Sequence, residues 1–176
     1  MDKLPHKQMV LPYRIVRKMR HTSKIIRSMF LEKEFSGRRG TSEVEGLFDA
    51  KYFSFPKPLG LVEKLLEVTT KDSDLILDFF AGSSTTADAV MQLNAEDGGN
   101  RQYIMCTLPE PTFTVNSDGK EVPTKGGEAA YKAGYRSIDE ISRERIIRAA
   151  RKIKEEKCAP TMILEMIFMS FGWTRR

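Results

Sequence analysis

Apolar positions along this chain fall into two alternating rhythms. Leu61, Val62, Leu65, Leu66 and Val68 recur at helical spacing, which predicts a helix within LGLVEKLLEVTT. The polar turn KDSD follows, and then LILDFF, a short unbroken apolar run of the kind a buried strand has. TTADAVMQLNA returns to helical spacing with Ala87, Val90 and Met91 on one side, and NAEDGGN places glycines where that helix should stop. RQYIMCTLPE repeats the buried-strand pattern. A last helix is expected over residues 137–155. It opens on a capping-box pair, Ser137 and Glu140. Ile138, Ile141, Ala149, Ala150 and Ile153 face inward, and Arg143, Arg148, Arg151 and Lys152 face outward. The order helix–strand–helix–strand predicts a βαβ unit preceded by one more helix, hence a parallel sheet covered on both faces.

The remaining segments are less periodic. SGRRGTSEVEGLF reads as a turn and a short helix capped by Thr41, with Glu43 and Glu45 near its positive end. KYFSFPKP, ending on two prolines, reads as extended. Residues 111–135 read as irregular. Residues 1–30 are basic: Arg14, Arg17, Lys18, Arg20, Lys24 and Arg27 are interleaved with apolar residues. That stretch is suited to tracking the phosphates of double-stranded DNA, and equally to being a solvated helix face.

Composition narrows the class. A chain of 176 residues, 40% hydrophobic and 30% charged, makes one globular domain or part of one. A net charge of +5 suits an acidic partner. Cys106 and Cys158 form neither a disulfide framework nor a metal-ligand pattern, and His6 and His21 lie far from both, so a reduced, cytoplasmic setting without a metal is expected. The basic N-terminal residues have no apolar core behind them, unlike a signal peptide, and the apolar stretch 162–171 is too short to span a bilayer.

The chemistry concentrates in the turn after the first strand. In parallel α/β sheets, ligands bind outside the carboxyl ends of the strands. Gly82, Ser83 and Ser84 are small enough for a ligand to approach the backbone closely, at the start of a helix. Where nucleotide sites cradle a phosphate, this turn begins with Asp78. A carboxylate there disfavours an anion and suits an ammonium group. S-adenosyl-L-methionine carries an ammonium, a sulfonium and a ribose. At the end of the second strand, Glu110 can accept hydrogen bonds from both ribose hydroxyls.

These residues carry a resemblance. DFFAGSSTTADAV resembles the first cofactor motif of amino-methylating DNA methyltransferases, an Asp-x-Phe-x-Gly-Ser-Gly-Thr pattern. FSFPKP, residues 53–58, resembles the segment that closes over the methionine end of the donor in β-type members. RRGTSEVEGLF and YKAGYRSIDEISRERIIRAARKI are similar to modification subunits of type III restriction–modification systems. The resemblance covers about residues 37–155. It implies an α/β, Rossmann-like methyltransferase fold, with an incomplete parallel sheet flanked by helices. It implies that Asp78, Phe80, Gly82, Ser83, Ser84 and Thr85 line the donor, that Phe55, Pro56, Lys57 and Pro58 pack beside it, and that Glu110 holds the ribose. The implied reaction is methyl transfer to the N6 amine of adenine in DNA, with a helicase–nuclease subunit as partner. A homodimer is a further expectation, because a sheet cut short exposes strand edges.

Two departures matter. Ser84 stands where the family pattern often has glycine, a modest change provided the position does not need positive φ. The Asp-Pro-Pro-Tyr type motif that orients the target amine is absent; LPY at 11–13, FPKP and LPEP come nearest. The sequence therefore reads as a C-terminal fragment, inactive in isolation. It comprises the end of a recognition region (1–36), a donor-binding part (37–157) and a diverged tail (158–176) that is either a frameshifted or divergent end or a helix covering the sheet. A non-catalytic donor- or DNA-binding remnant and an unrelated nucleotide-binding α/β protein are the alternatives. Asp78 with Glu110 argues against the second of these.

Overall fold

The computed structural model describes residues 29–157 and the strand 168–170. The six basic residues between Arg14 and Arg27 lie outside the described residues. The elements run α1 (Gly37–Phe48), α2 (Leu59–Thr69), β1 (Leu75–Asp78), α3 (Thr85–Asp97), β2 (Gln102–Thr107), β3 (Phe113–Val115), β4 (Glu121–Pro123), α4 (Glu128–Lys132), α5 (Ile138–Lys157) and β5 (Phe168–Ser170). A 3-10 turn, Lys33–Phe35, precedes α1. β1, β2 and β5 form one sheet in that order, both pairs parallel. The register places Asp78 beside Met105.

The βαβ reading holds, and its physical cause is visible in α3. Ala87, Ala89, Val90, Met91 and Leu93 are all buried, and the alanines let the helix approach the sheet and its neighbours closely. On one side Ala87 and Met91 pack with Met105 and with Ile146, Ala149 and Ile153 of α5. On the other, Ala89, Val90 and Leu93 pack with Leu66 of α2 and with Ile76 and Tyr103. Burial, with a smaller effect of the nearby Asp88 charge, pushes the Tyr103 hydroxyl up to about 12. Gly98 ends α3 in the left-handed conformation at φ 74° and donates its N–H to the Asn94 carbonyl.

Several expectations are corrected. Among the described residues the helices cover one face of the parallel sheet: α2, α3 and α5 all pack where Ile76, Tyr103 and Met105 point. Leu75 and Leu77 alternate to the other face and stay 58% and 47% exposed. β1 stops at Asp78, two residues short of the predicted strand, and Phe79 and Phe80 form an exposed turn. α1 begins after Ser36, so Thr41 lies inside the helix and bonds back to the Gly37 carbonyl instead of capping. The stretch read as irregular contains the antiparallel hairpin β3–β4 and the short α4. Glu140 reaches back as a capping box would, but to the N–H of Arg136, while the Ser137 hydroxyl bonds Asp139. Residues 168–170 of the tail add a parallel strand beside β2, and the rest of residues 158–176 lies outside the described residues.

Candidate functional site

At the carboxyl edge of the sheet, Asp78 organises the turn that leaves β1. One carboxylate oxygen accepts the Phe80 N–H at 2.9 Å, and the other accepts the Thr86 hydroxyl at 2.6 Å, so the side chain spans from strand end to first helical turn. The Ala81 N–H donates to the Cys106 carbonyl at 3.0 Å, tying the turn across the end of β2. Gly82 at φ 51° and Ser84 at φ 57° both take the left-handed conformation, which reverses the chain tightly enough to start α3 at once. A Cβ on Gly82 would stand 3.5 Å from the Phe53 ring.

Ser84 therefore does sit at positive φ, and the condition under which serine would be a mild replacement for glycine fails. The hydroxyl of Ser84 is fully buried and has no hydrogen-bond partner. Ser83 and Thr85 are also buried, at 4% exposure each, and their hydroxyls turn inward. They meet Arg145 of α5, a wholly buried guanidinium. Arg145 donates to Thr85 Oγ1 at 2.8 Å and to Ser83 Oγ at 3.1 Å, and pairs with the Asp88 carboxylate at 3.0 Å. The Thr85 hydroxyl donates in turn to the Lys57 carbonyl. The Ser142 hydroxyl, one turn before Arg145, donates to the Gly82 carbonyl.

The FPKP segment lies against this network. Pro56 and Pro58 are buried, whereas Phe55 is 85% exposed and the Lys57 side chain is exposed. α1 presses on it from behind. A Cβ on Gly40 would come within 2.4 Å of the Pro56 carbonyl oxygen, and Glu43, one turn along, accepts the Leu59 N–H at 2.8 Å. RRGTSEVEGLF thus backs the segment that precedes the glycine turn.

Glu110 lies on the same edge, five residues beyond Met105, the register partner of Asp78. Its side chain is exposed, and its backbone carbonyl accepts the Ile138 N–H at 2.9 Å. The structure brings Asp78, Gly82–Thr85 and residues 55–58 into one assembly through hydrogen bonds and packing; β2 stops at Thr107, so Glu110 lies in the loop three residues past the strand rather than at its end as expected. Among the described residues no three His, Cys, Asp or Glu side chains cluster as metal ligands, and no helix is long and apolar enough to cross a membrane.

Arg145, Asp88, Ser142, Gly40 and Glu43 were not singled out from the sequence as site residues. Arg145 had a signal: it stands four residues after Ile141 and four before Ala149, at an inward position of α5 where a charge demands a buried partner.

The fold and the turn define a class. The model of the N6/N4 DNA methylase family matches residues 2–113, and the chain belongs to that family. Among its relatives are the Mod subunit of the type III restriction–modification enzyme StyLTI of Salmonella typhimurium (44% identical over 119 residues, 68% of this chain and 16% of the relative). The EcoPI Mod subunit of Escherichia phage P1 is 40% identical over 72% of this chain and 18% of its own. The type II methyltransferase M.KpnI of Klebsiella pneumoniae is 34% identical over 69% and 26%. The chain thus spans roughly a sixth to a quarter of the length of these relatives.

Proposed function

We propose that this chain forms the donor-binding half-site of an S-adenosyl-L-methionine-dependent, site-specific DNA methyltransferase acting on the N6 amine of adenine in a restriction–modification system. The observation that carries the reading is the set of groups at the strand ends. Each Asp78 oxygen accepts one protein hydrogen bond and keeps a lone pair for a further donor. A carboxylate so placed fits the donor's ammonium group and would repel a phosphate. Phe80 of the same turn is 89% exposed, and Phe55, two residues from the ring that touches Gly82, is similarly open, so aromatic surface is available to the rest of the donor. Glu110, in the loop just past β2, fits a ribose diol. Ser83, Ser84 and Thr85 serve from beneath: all three are buried, and the Ser83 and Thr85 hydroxyls bond Arg145.

Bound, the donor supplies the electrophilic methyl group. The residues here hold and orient it, and an Asp-Pro-Pro-Tyr type motif, which these 176 residues do not contain, would hold the adenine amine in line. The isolated chain binds donor without turnover. Arg14, Arg17, Lys18, Arg20, Lys24 and Arg27 run along DNA phosphates, each neutralised phosphate steepening the log–log salt dependence by about 0.9. The names of the relatives, Mod subunits of type III restriction–modification enzymes, support a type III setting, and a restriction subunit as partner belongs to that reading.

Calorimetric titration with S-adenosyl-L-methionine tests the reading against Asp78→Asn, which keeps the shape and removes the charge. Saturable binding that weakens at least tenfold in the variant is expected. Equal binding by both chains would take Asp78 out of the donor site, and no saturable binding by the parent would overturn the reading.

A further inference from the structure

The buried Arg145–Asp88 pair calls for an explanation that stability does not supply. Burying an ion pair gains little over packing apolar side chains of the same volume in its place. Its geometry suggests another role. Arg145 uses one side of its fork on Asp88 of α3 and the other on the Ser83 and Thr85 hydroxyls, so a single planar group fixes the helix and the turn that starts it. Thr85 passes the connection on to the Lys57 carbonyl, in the segment before α2. Ser142, three residues earlier on the same face of α5, holds the Gly82 carbonyl. Two left-handed residues, Gly82 and Ser84, lie between these anchors. A turn of that shape needs its surroundings to hold it.

We propose that Ser142 and Arg145 are positioning residues, a two-point clamp by which α5 sets the conformation of the 80–85 turn and couples it to residues 55–58. The inference rests on the donor-binding reading and extends it to groups that touch no donor. Asp88 neutralises the guanidinium, so the clamp adds no net charge beneath Asp78. Removing the clamp should loosen the turn locally, weaken the donor, and leave the sheet intact.

The experiment compares the 176-residue chain with the Asp88→Leu, Arg145→Met double variant, in which both charges are exchanged for apolar packing, and with Ser142→Ala, which leaves the ion pair untouched. Three quantities are read: melting temperature, hydrogen exchange of segment 79–86 relative to β1 and β2 by mass spectrometry, and calorimetric affinity for S-adenosyl-L-methionine. The double variant is expected to melt within a few degrees of the parent, to exchange at least tenfold faster in 79–86 alone, and to bind donor at least tenfold more weakly. Ser142→Ala is expected to show the same local change at about threefold, and it decides the matter if the double variant does not fold. Exchange that is unchanged, or that rises equally in β1 and β2, overturns the clamp. So does a loosened turn that binds donor with the parent's affinity. Loss of the donor reading looks different: the parent itself fails to bind while local loosening persists, and the clamp then stands as a device of the turn alone.

Discussion

The turn that follows β1 and the excursion that follows β2 leave the same edge of the sheet and are held by opposite means. Beneath the first, Arg145, Asp88, Ser83 and Thr85 are buried and bonded to one another. The excursion over residues 108–137 is anchored in the core by Ala130 and Tyr135, but its hairpin is held at the surface. Arg136 meets Glu121 at 2.5 and 2.7 Å, the Tyr131 hydroxyl donates to the same carboxylate, and the guanidinium stacks 4.1 Å over the Phe113 ring. Both use an arginine fork on a carboxylate. One pair is sealed from water, the other is about half open to it. In the sealed pair each partner depends on the other, because a lone buried charge has no solvent to fall back on. In the open pair water and salt replace whatever is lost.

The sharpest way to break that contrast is to remove one partner from each. Asp88→Ala leaves Arg145 buried without its counter-charge and should cost about 3–5 kcal/mol of global stability, read by urea titration. Glu121→Ala should leave the global midpoint where it was. A loss below about 1 kcal/mol in Asp88→Ala would mean that the network relaxes around the missing carboxylate and that the contrast is false.

The backing of the turn from α1 gives the next effect. Gly40→Ala gains about 1 kcal/mol of helix propensity but drives a Cβ into the Pro56–Lys57 backbone, at 2.4 Å from the nearest oxygen. Backbone cannot swing aside as a side-chain tip does, so a net loss of about 1–3 kcal/mol is expected. Gly46→Ala in the same helix has nothing within 4 Å and should gain about 1 kcal/mol. Equal effects at the two positions would show that α1 does not support the FPKP segment.

These predictions rest on residues of unequal legibility. β1, α3, β2 and α5 were readable because their apolar periods are decided locally: Ala87, Val90 and Met91 share a face whatever they pack against. Which face of the sheet the described helices cover was not readable, because Leu75 and Leu77 look as buried in sequence as Ile76 does. β3 and β4 are three residues each, too short for a period, although the turn Asn116–Gly119 between FTV and EVP was a usable hairpin signal. Asp78 was legible as a lone acid at a strand end. The Arg145 partnership was not, since Asp88 lies 57 positions away and only the folded chain brings them together. Ser84 was legible as a departure from pattern; its left-handed φ was not.

Ser84 offers the smaller, opposite effect. Glycine at this position relieves a left-handed φ worth about 1–2 kcal/mol and removes a buried hydroxyl that has no partner. Against this, glycine loosens the unfolded chain by about 0.4–1 kcal/mol. Ser84→Gly should therefore stabilise by about 1 kcal/mol, with donor affinity unchanged or tighter, since the side chain it removes is fully buried. A less stable variant would mean that the hydroxyl has a partner after all, such as a buried water, and that the network beneath the turn extends one residue further.

The excursion should respond least, and its response is one of pH. The Arg136 hydrogen bond, aided by that of Tyr131, holds the Glu121 carboxyl below its ordinary value of 4.5. The folded hairpin therefore prefers the ionised form. The stabilisation is present in full above the ordinary value and disappears as pH falls through the lower, folded-state value, because protonation removes the charge that both donors use. Between pH 7 and pH 3, cross-strand NMR contacts between Val115 and Glu121 should weaken while those between Ile76 and Tyr103 persist. Half-molar salt at pH 7 should weaken the hairpin in the same direction, and Glu121→Gln should show neither response. Arg145 and Asp88 have no water around them through which salt could act, so the turn after β1 should ignore the salt that the hairpin feels. A hairpin indifferent to both acid and salt would place its stability in the packing of Phe113 against Tyr131, and the two arginine forks would then differ in burial but not in what they do.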